Sequence, residues 1–251
     1  MKPGATFLAK VISGIMLTIL AASTAQAAQS VHVTIGFSTA SMPYVDRTTA
    51  SGIEVELVTK ALQRQGYTVR PAFIPHLRAL AQVHDGKLDA YGPVGPFSNV
   101  ADLHVSDVYA TYTNIIVALD ETGTTINDLN DLIRHRVLAF HNARSFLGGA
   151  FRNMTLVNKR YEEIVDQGIQ VESFFLRRDR IIILEERIFQ FHQQRLAAYT
   201  PLPKVRIFRL FAPQERRFAF ASPALRDAFN AGLASLRADG TLDALFSAPA
   251  P

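Results

Sequence analysis

The chain contains no cysteine. Disulfides, cysteine-based zinc sites and a lipid-modified N-terminal cysteine are therefore all excluded. The seven histidines are scattered without an HxxxH pair, so no metal site is expected, and no cofactor either. Neither GxSxG nor HExxH occurs, which removes the common hydrolase readings. Basic residues are not gathered into a stripe. The densest group, Arg177, Arg178 and Arg180 around Asp179, has the character of a solvated face, so no nucleic-acid partner is expected. The one strongly apolar run, Val11 to Ala22, is too short to span a bilayer.

That run reads instead as part of a leader. Lys2 and Lys10 give a positive start, and Ala25-Gln26-Ala27 is a small-x-small cleavage site, so residues 1–27 are expected to be a removed export signal. The leader takes two of the 26 basic residues and no acid. The remaining 24 against 22 acidic residues leave a net charge of +2. At 251 residues with 48% hydrophobic and 19% charged content, the chain can bury one large core or two small ones.

One stretch organises the rest. Gly92 to Leu119 begins as a Gly/Pro/Ser/Asn-rich loop and ends, from Tyr109, as a β-branched and aromatic strand. Such a strand is long enough to leave one core and enter another, which makes this stretch a cleft wall followed by a hinge. Before it, Val31–Ser38 reads as a strand and a helix follows from Gly52. Tyr67–Ile74 is a second strand, His76–His84 a short helix and Leu88–Val94 a third strand. This alternation signals a parallel sheet with helical crossovers.

The pattern restarts after the long strand. Asn127–Ile133 reads as a helix opening, Arg136–Phe140 as a strand and Asn142–Met154 as a helix. Tyr161–Phe175 is helical in period. Ile181–Leu184 is a buried parallel strand, and Glu185–Leu196 is a helix. After the Pro-containing connector Tyr199–Lys204, Val205–Phe211 is an alternating strand. Ser222 then caps a helix with Pro223 in its first turn. The fold class is therefore α/β with two lobes, each a parallel-type sheet with flanking helices. Lobe one spans residues 28–116 and 205–251. Lobe two, inserted between them, spans 117–204. Two hinge segments, near Val117–Glu121 and Tyr199–Val205, would let the lobes close on a ligand.

The segments GFSTASMPYVD, SGIEVELVTKALQRQGY, DGKLDAYGPVGPFSNVADLHVSDVY and ALRDAFNAGLASLRADGTLDALF, in that order, resemble the extracellular solute-binding proteins of family 3. The resemblance covers the whole mature chain. It implies a periplasmic-binding-protein fold, a small polar solute such as an amino acid or related organic acid or amine, and a transporter permease or a sensor as partner. A monomer free in the periplasm is expected. The amino-acid binders carry an Arg shortly before a Ser-Asp-x-Tyr segment. Here Ser106-Asp107-Val108-Tyr109 is present, but Asn99 stands at the Arg position, and an amide cannot supply the bidentate guanidinium fork.

The resemblance also implies an aromatic cleft wall at Tyr44, which ordinary loop packing would equally explain. Gly92, Gly95 and Asn99 fall where the chain passes close to a ligand, although turn chemistry accounts for the glycines as well. Asn142, Arg144 and Ser145 open a helix, whose free N–H groups could seat an anion with Arg144 replacing the lost cation. The alternative is a plain helix start with Arg144 in solvent. Glu185 stands where relatives receive a ligand ammonium, or else complements a helix dipole. No catalytic residue is assigned. Two other functions remain open beside solute capture: a dehydratase using Glu185 as its acid, and a ligand-free interaction module.

Overall fold

The computed structural model describes residues 31–247 apart from Ala40 and Phe97. The expected leader, residues 1–27, lies outside the described residues. The chain opens with β1 (Val31–Phe37), α1 (Ile53–Gln63), β2 (Tyr67–Phe73), α2 (His76–His84) and β3 (Ala90–Val94). β1 is the middle of this unit and pairs in parallel with β2 on one side and β3 on the other. α1 forms because Ile53, Leu57, Val58, Ala61 and Leu62 fall on one buried face. Acids Glu54 and Glu56 occupy its first turn and Lys60 its last, each favourable to the helix dipole.

β4 (His104–Val105) and β5 (Ala110–Tyr112) follow, then β6 (Asn114–Leu119). The long strand expected over Tyr109–Leu119 is thus broken at Thr113, and its two halves belong to different sheets. β5 pairs with the last strand of the first sheet, whereas β6 pairs with strands of the second. After a 3-10 turn at Leu129–Arg134 come β7 (Arg136–Phe140), α3 (Ala143–Phe146), α4 (Gly148–Val157), β8 (Tyr161–Ile164), α5 (Gln167–Arg177), β9 (Arg180–Glu185), α6 (Glu186–Ala197) and β10 (Val205–Phe208). The remaining elements are β11 (Gln214–Phe220), α7 (Pro223–Ala238) and α8 (Thr241–Ser247).

The first sheet has the order β2-β1-β3-β11-β4, with β5 on the other end of β11, and the second has the order β10-β6-β9-β7-β8. Both sheets are mixed rather than wholly parallel. β11 runs antiparallel to β3, β4 and β5, and β6 runs antiparallel to β9 and β10. Three expectations change. Val205–Phe208 belongs to the second sheet, because it pairs with β6 from Val205↔Leu119 to Phe208↔Ile116. The two crossings therefore lie at Thr113 and at residues 209–213, not near Val117–Glu121 and Tyr199–Val205. Tyr161–Ile164 is a strand rather than the start of a helix, held by parallel pairing to β7. Its helical period was a property of the following segment alone.

The Ser106-Asp107-Val108-Tyr109 segment fastens β11 in register. Ser106 Oγ accepts the Phe218 amide at 3.0 Å, and the Ser106 and Tyr109 amides donate to the carbonyls of Phe218 and Arg216. α7 packs on α1 at close range through Gly232. A Cβ at that position would sit 2.9 Å from the Ala61 Cα and nearer still to its carbonyl.

Candidate functional site

The two sheets face each other across a cleft of about 440 Å³. Lobe one contributes the loop after β1 (Ser38, Thr39, Ser41), the start of α2 (Pro75, His76), Tyr91 and Pro93 of β3, Tyr112 of β5 and Arg216 of β11. Lobe two contributes Asn114, Phe140, His141, Asn142, Phe146, Val165, Gln167, Glu185 and Ile188. The rings converge: His76 lies 5.4 Å from Tyr91 in its own lobe and 5.3 Å from Phe146 of the other. Burial and, after it, the Arg216 charge lower the His76 pKa, which favours the neutral imidazole.

Arg216 is the buried cation of the cleft, 7% exposed. Its guanidinium lies over the Tyr112 ring at 4.6 Å, and its Nη2 donates to Gln214 Oε1 at 2.9 Å. Its Nε has no acceptor among the described residues. Gly95 makes room for it, since a Cβ there would collide with Nη1. Beneath it, Glu54 is fully buried and accepts hydrogen bonds from the Tyr109 hydroxyl and, at 2.6 Å, from the Tyr112 hydroxyl. Burial raises the Glu54 pKa, while the two hydroxyls and Arg216 partly offset this. Gln214 also ties the lobes together, because its Nε2 donates to the Phe146 carbonyl at 2.8 Å.

Glu185 ends β9 and caps α6. Its Oε2 accepts the amides of Arg187 and Ile188 at 2.8 and 3.0 Å. The residue is 6% exposed. Burial pushes its carboxyl up to about 7, against the lowering effect of those amides, the Tyr44 hydroxyl and the Arg187 guanidinium. Asn114, the register partner of Glu185 across β6 and β9, is also buried, and its Nδ2 has no acceptor among the described residues.

Of the residues singled out from sequence, Asn142 and Glu185 line this cleft. Tyr44 is buried just behind it, stacked on Tyr112 at 4.5 Å and adjacent to Glu185. Gly95 supports Arg216 from behind. Gly92 is buried against the Phe218 ring. Asn99 is exposed in its loop and does not line the cleft. Arg144 and Ser145 sit instead around a shallow hollow with Tyr161 and Glu163, and Arg144 lies 5.2 Å over the Tyr161 ring. The helix-start amides there already have an acceptor. Glu163 takes the Asn142 amide at 2.8 Å and the Arg144 amide at 3.1 Å.

Arg216, His76, Tyr91 and Asn114 were not anticipated. For Arg216 a signal existed. In QERRFAF, Gln214, Arg216, Phe218 and Phe220 alternate onto one face, which is the buried one. A cation in register with core phenylalanines points to a buried guanidinium. Among the described residues no cluster of His, Asp and Glu could hold a metal ion, and no helix is long and apolar enough to cross a membrane.

The description "Bacterial extracellular solute-binding proteins, family 3" matches residues 33–248. No curated protein matches the chain. Among solved structures, the GluR0 ligand-binding core in complex with L-glutamate aligns with a TM-score of 0.72 at 10% identity, over 89% of this chain and 100% of that one. A histidine kinase sensor domain with similarity to periplasmic binding proteins aligns at 0.70 and 16% identity, over 87% and 95%. The ancestral amino acid-binding protein AncCDT-1, a precursor of cyclohexadienyl dehydratase, aligns at 0.67 and 15% identity, over 88% and 96%. At these identities the likeness is one of fold.

Proposed function

Because this chain belongs to the bacterial extracellular solute-binding proteins of family 3, we propose that it captures a small polar solute in the interlobe cleft, outside the cytoplasmic membrane, and presents it to a permease or a sensor. The solute is of the amino-acid, organic-acid or amine class. The observation that carries this reading is the lining of the cleft. Apolar and aromatic walls surround a few buried polar groups from both lobes, Arg216 from one and Asn114 and Glu185 from the other. A site of this kind takes its binding energy from burial and its specificity from a few convergent polar groups.

Closure would complete the site. The Gln214–Phe146 hydrogen bond and the His76–Phe146 ring contact join the lobes directly at its edge. A solute that binds only the closed form shifts the lobes toward it by its differential affinity. The test is a thermal-shift screen of residues 28–251 against amino acids, organic acids and amines. A solute at 100 times its Kd should stabilise the protein by about 2.7 kcal/mol. A screen in which no compound raises the melting temperature contradicts solute capture and favours a ligand-free interaction module.

One observation supports a second reading. Glu185 is a cleft acid with a carboxyl near 7, the range suited to proton transfer at neutral pH. In a dehydratase it would protonate a departing hydroxyl, which leaves as water as the C–O bond breaks, while solvent takes the proton of the adjacent carbon and that C–H electron pair forms the C=C bond. Turnover of a cyclic hydroxy acid, lost in Glu185→Gln, would establish that reading; a cleft that binds solutes without turning them over excludes it.

A further inference from the structure

We propose that Arg216 of β11, with Asn114 of β6 in the same cleft, is the anion seat, and that the solute is a carboxylate borne on a flat, unsaturated or aromatic body. This rests on the reading of the cleft as a solute site. It places the seat on a strand far in sequence from position 99, where the family resemblance would look for it.

Three observations carry the proposal. First, Arg216 is a charge buried to 7% exposure without an ion-pair partner among the described residues. Glu54 lies behind it and feels its charge, but Glu54 Oε1 accepts from the Tyr109 and Tyr112 hydroxyls, Oε2 has no hydrogen-bond partner among the described residues, and neither oxygen is bonded to Arg216. A guanidinium in this setting is costly unless a counter-charge arrives. Second, two buried donors of the cleft, Arg216 Nε and Asn114 Nδ2, lack an acceptor among the described residues. Unmatched donors ask for an acceptor-rich ligand, and a carboxylate offers acceptors without any competing donor.

Third, Arg216 is held in place before any ligand comes. The Tyr112 face lies against it, Gln214 Oε1 fixes one Nη, and Gly95 leaves the space it fills. A guanidinium already fixed in one orientation loses little further freedom on binding.

The body of the solute follows from the walls. Tyr91, His76 and Phe146 present rings from both lobes, and Tyr112 lies beside the guanidinium. These tilted, edge-on rings form a continuous aromatic wall across the cleft, against which a planar group packs by offset or edge contacts. Gln214 links the seat to closure, since the side chain that accepts from Arg216 also donates to the Phe146 carbonyl of the other lobe.

The experiment uses calorimetry on the purified protein with benzoate, benzamide and benzylamine, which share a body and differ in charge, and with acetate, which keeps the charge and lacks the ring. Benzoate should bind at least 30-fold more tightly than benzamide, and benzylamine should not bind. Arg216→Met should weaken benzoate by roughly 100-fold or more, the range for truncating one partner of a desolvated charge pair. Arg216→Lys should retain part of the affinity. Should Arg216→Met fail to fold by circular dichroism, the wild-type ligand series decides alone. Equal binding of benzamide and benzoate, or an unchanged Arg216→Met, overturns the anion seat. Acetate binding as well as benzoate overturns the aromatic body. An amine or neutral solute found in the cleft by the wider screen overturns this inference while leaving solute capture intact. No binding by any compound removes both.

Discussion

Raising the pH from about 5 to 8 should destabilise the folded protein through Glu185. Its carboxyl is held near 7 in the folded state against an ordinary value of 4.5, chiefly because burial disfavours the charge. Between those two values the folded state binds a proton that the unfolded chain has released. Stability from this group is therefore fully present below about 4.5 and is lost as the pH rises through about 7. A shift of this size corresponds to at most about 3 kcal/mol. Other buried groups also shift the pH dependence. Burial raises Glu54 as well, and it lowers His76 and His192, whose contributions carry the opposite sign.

The contribution of Glu185 is isolated by comparison with Glu185→Gln. Glutamine keeps an oxygen for the Arg187 and Ile188 amides but cannot ionise. Urea unfolding of both proteins, at intervals from pH 4.5 to 8, measures the difference directly. The wild type should lose up to about 3 kcal/mol relative to the variant across that range, most of it between pH 4.5 and 7. A difference that stays flat, or that moves in favour of the wild type as pH rises, refutes the claim that burial dominates at this carboxyl. Tyr44→Phe removes the neighbouring hydroxyl that lowers the pKa, so it should move the midpoint upward.

Further expectations concern packing and the division of roles. Gly232→Ala forces a Cβ into the Ala61 backbone and should destabilise the protein by about 3 kcal/mol, read as a lower urea midpoint. Gly95→Ala should weaken solute binding in calorimetry and lower the urea midpoint less than Gly232→Ala does, because the added Cβ displaces the end of the Arg216 side chain rather than backbone. Arg144→Ala should leave solute affinity unchanged, since that guanidinium rests on Tyr161 away from the cleft.

Much of the architecture could be read from periodicity. α1 and α7 each carry an uninterrupted apolar face, and β7 and β9 are continuous apolar runs, so their type follows from local pattern. The lobe boundaries did not follow, because pairing partners decide them. Tyr109–Leu119 is one unbroken β signal, yet Thr113 divides it between two sheets, and Val205–Phe208 carries nothing local that says it pairs with β6. Tyr161–Ile164 failed for the same reason, as its strand exists only beside β7.

The lining of the candidate cleft was legible in part, since Asn142, read as a helix start, and Glu185, read from the family pattern, both line it. It was not legible where a residue reaches the cleft from a distant strand. Position 99 drew attention because an Arg was missing there, but a missing charge does not reveal where another guanidinium enters. Arg216 is brought to the cleft by β11, which crosses antiparallel beside β3 and β5 more than 100 residues later in the sequence. At Arg144, a local pattern suggested an anion seat that the fold had already filled with Glu163, 19 residues away.

The most direct measurement is a crystal structure of the protein with the solute that binds best. The carboxylate should lie between the lobes within about 2.7–2.9 Å of the Arg216 guanidinium nitrogens, with its body against the Tyr91, His76 and Phe146 rings and with Gln214 still joined to the Phe146 carbonyl. A solute bound elsewhere, or one seated in the cleft with Arg216 bonded only to Gln214, would contradict the account.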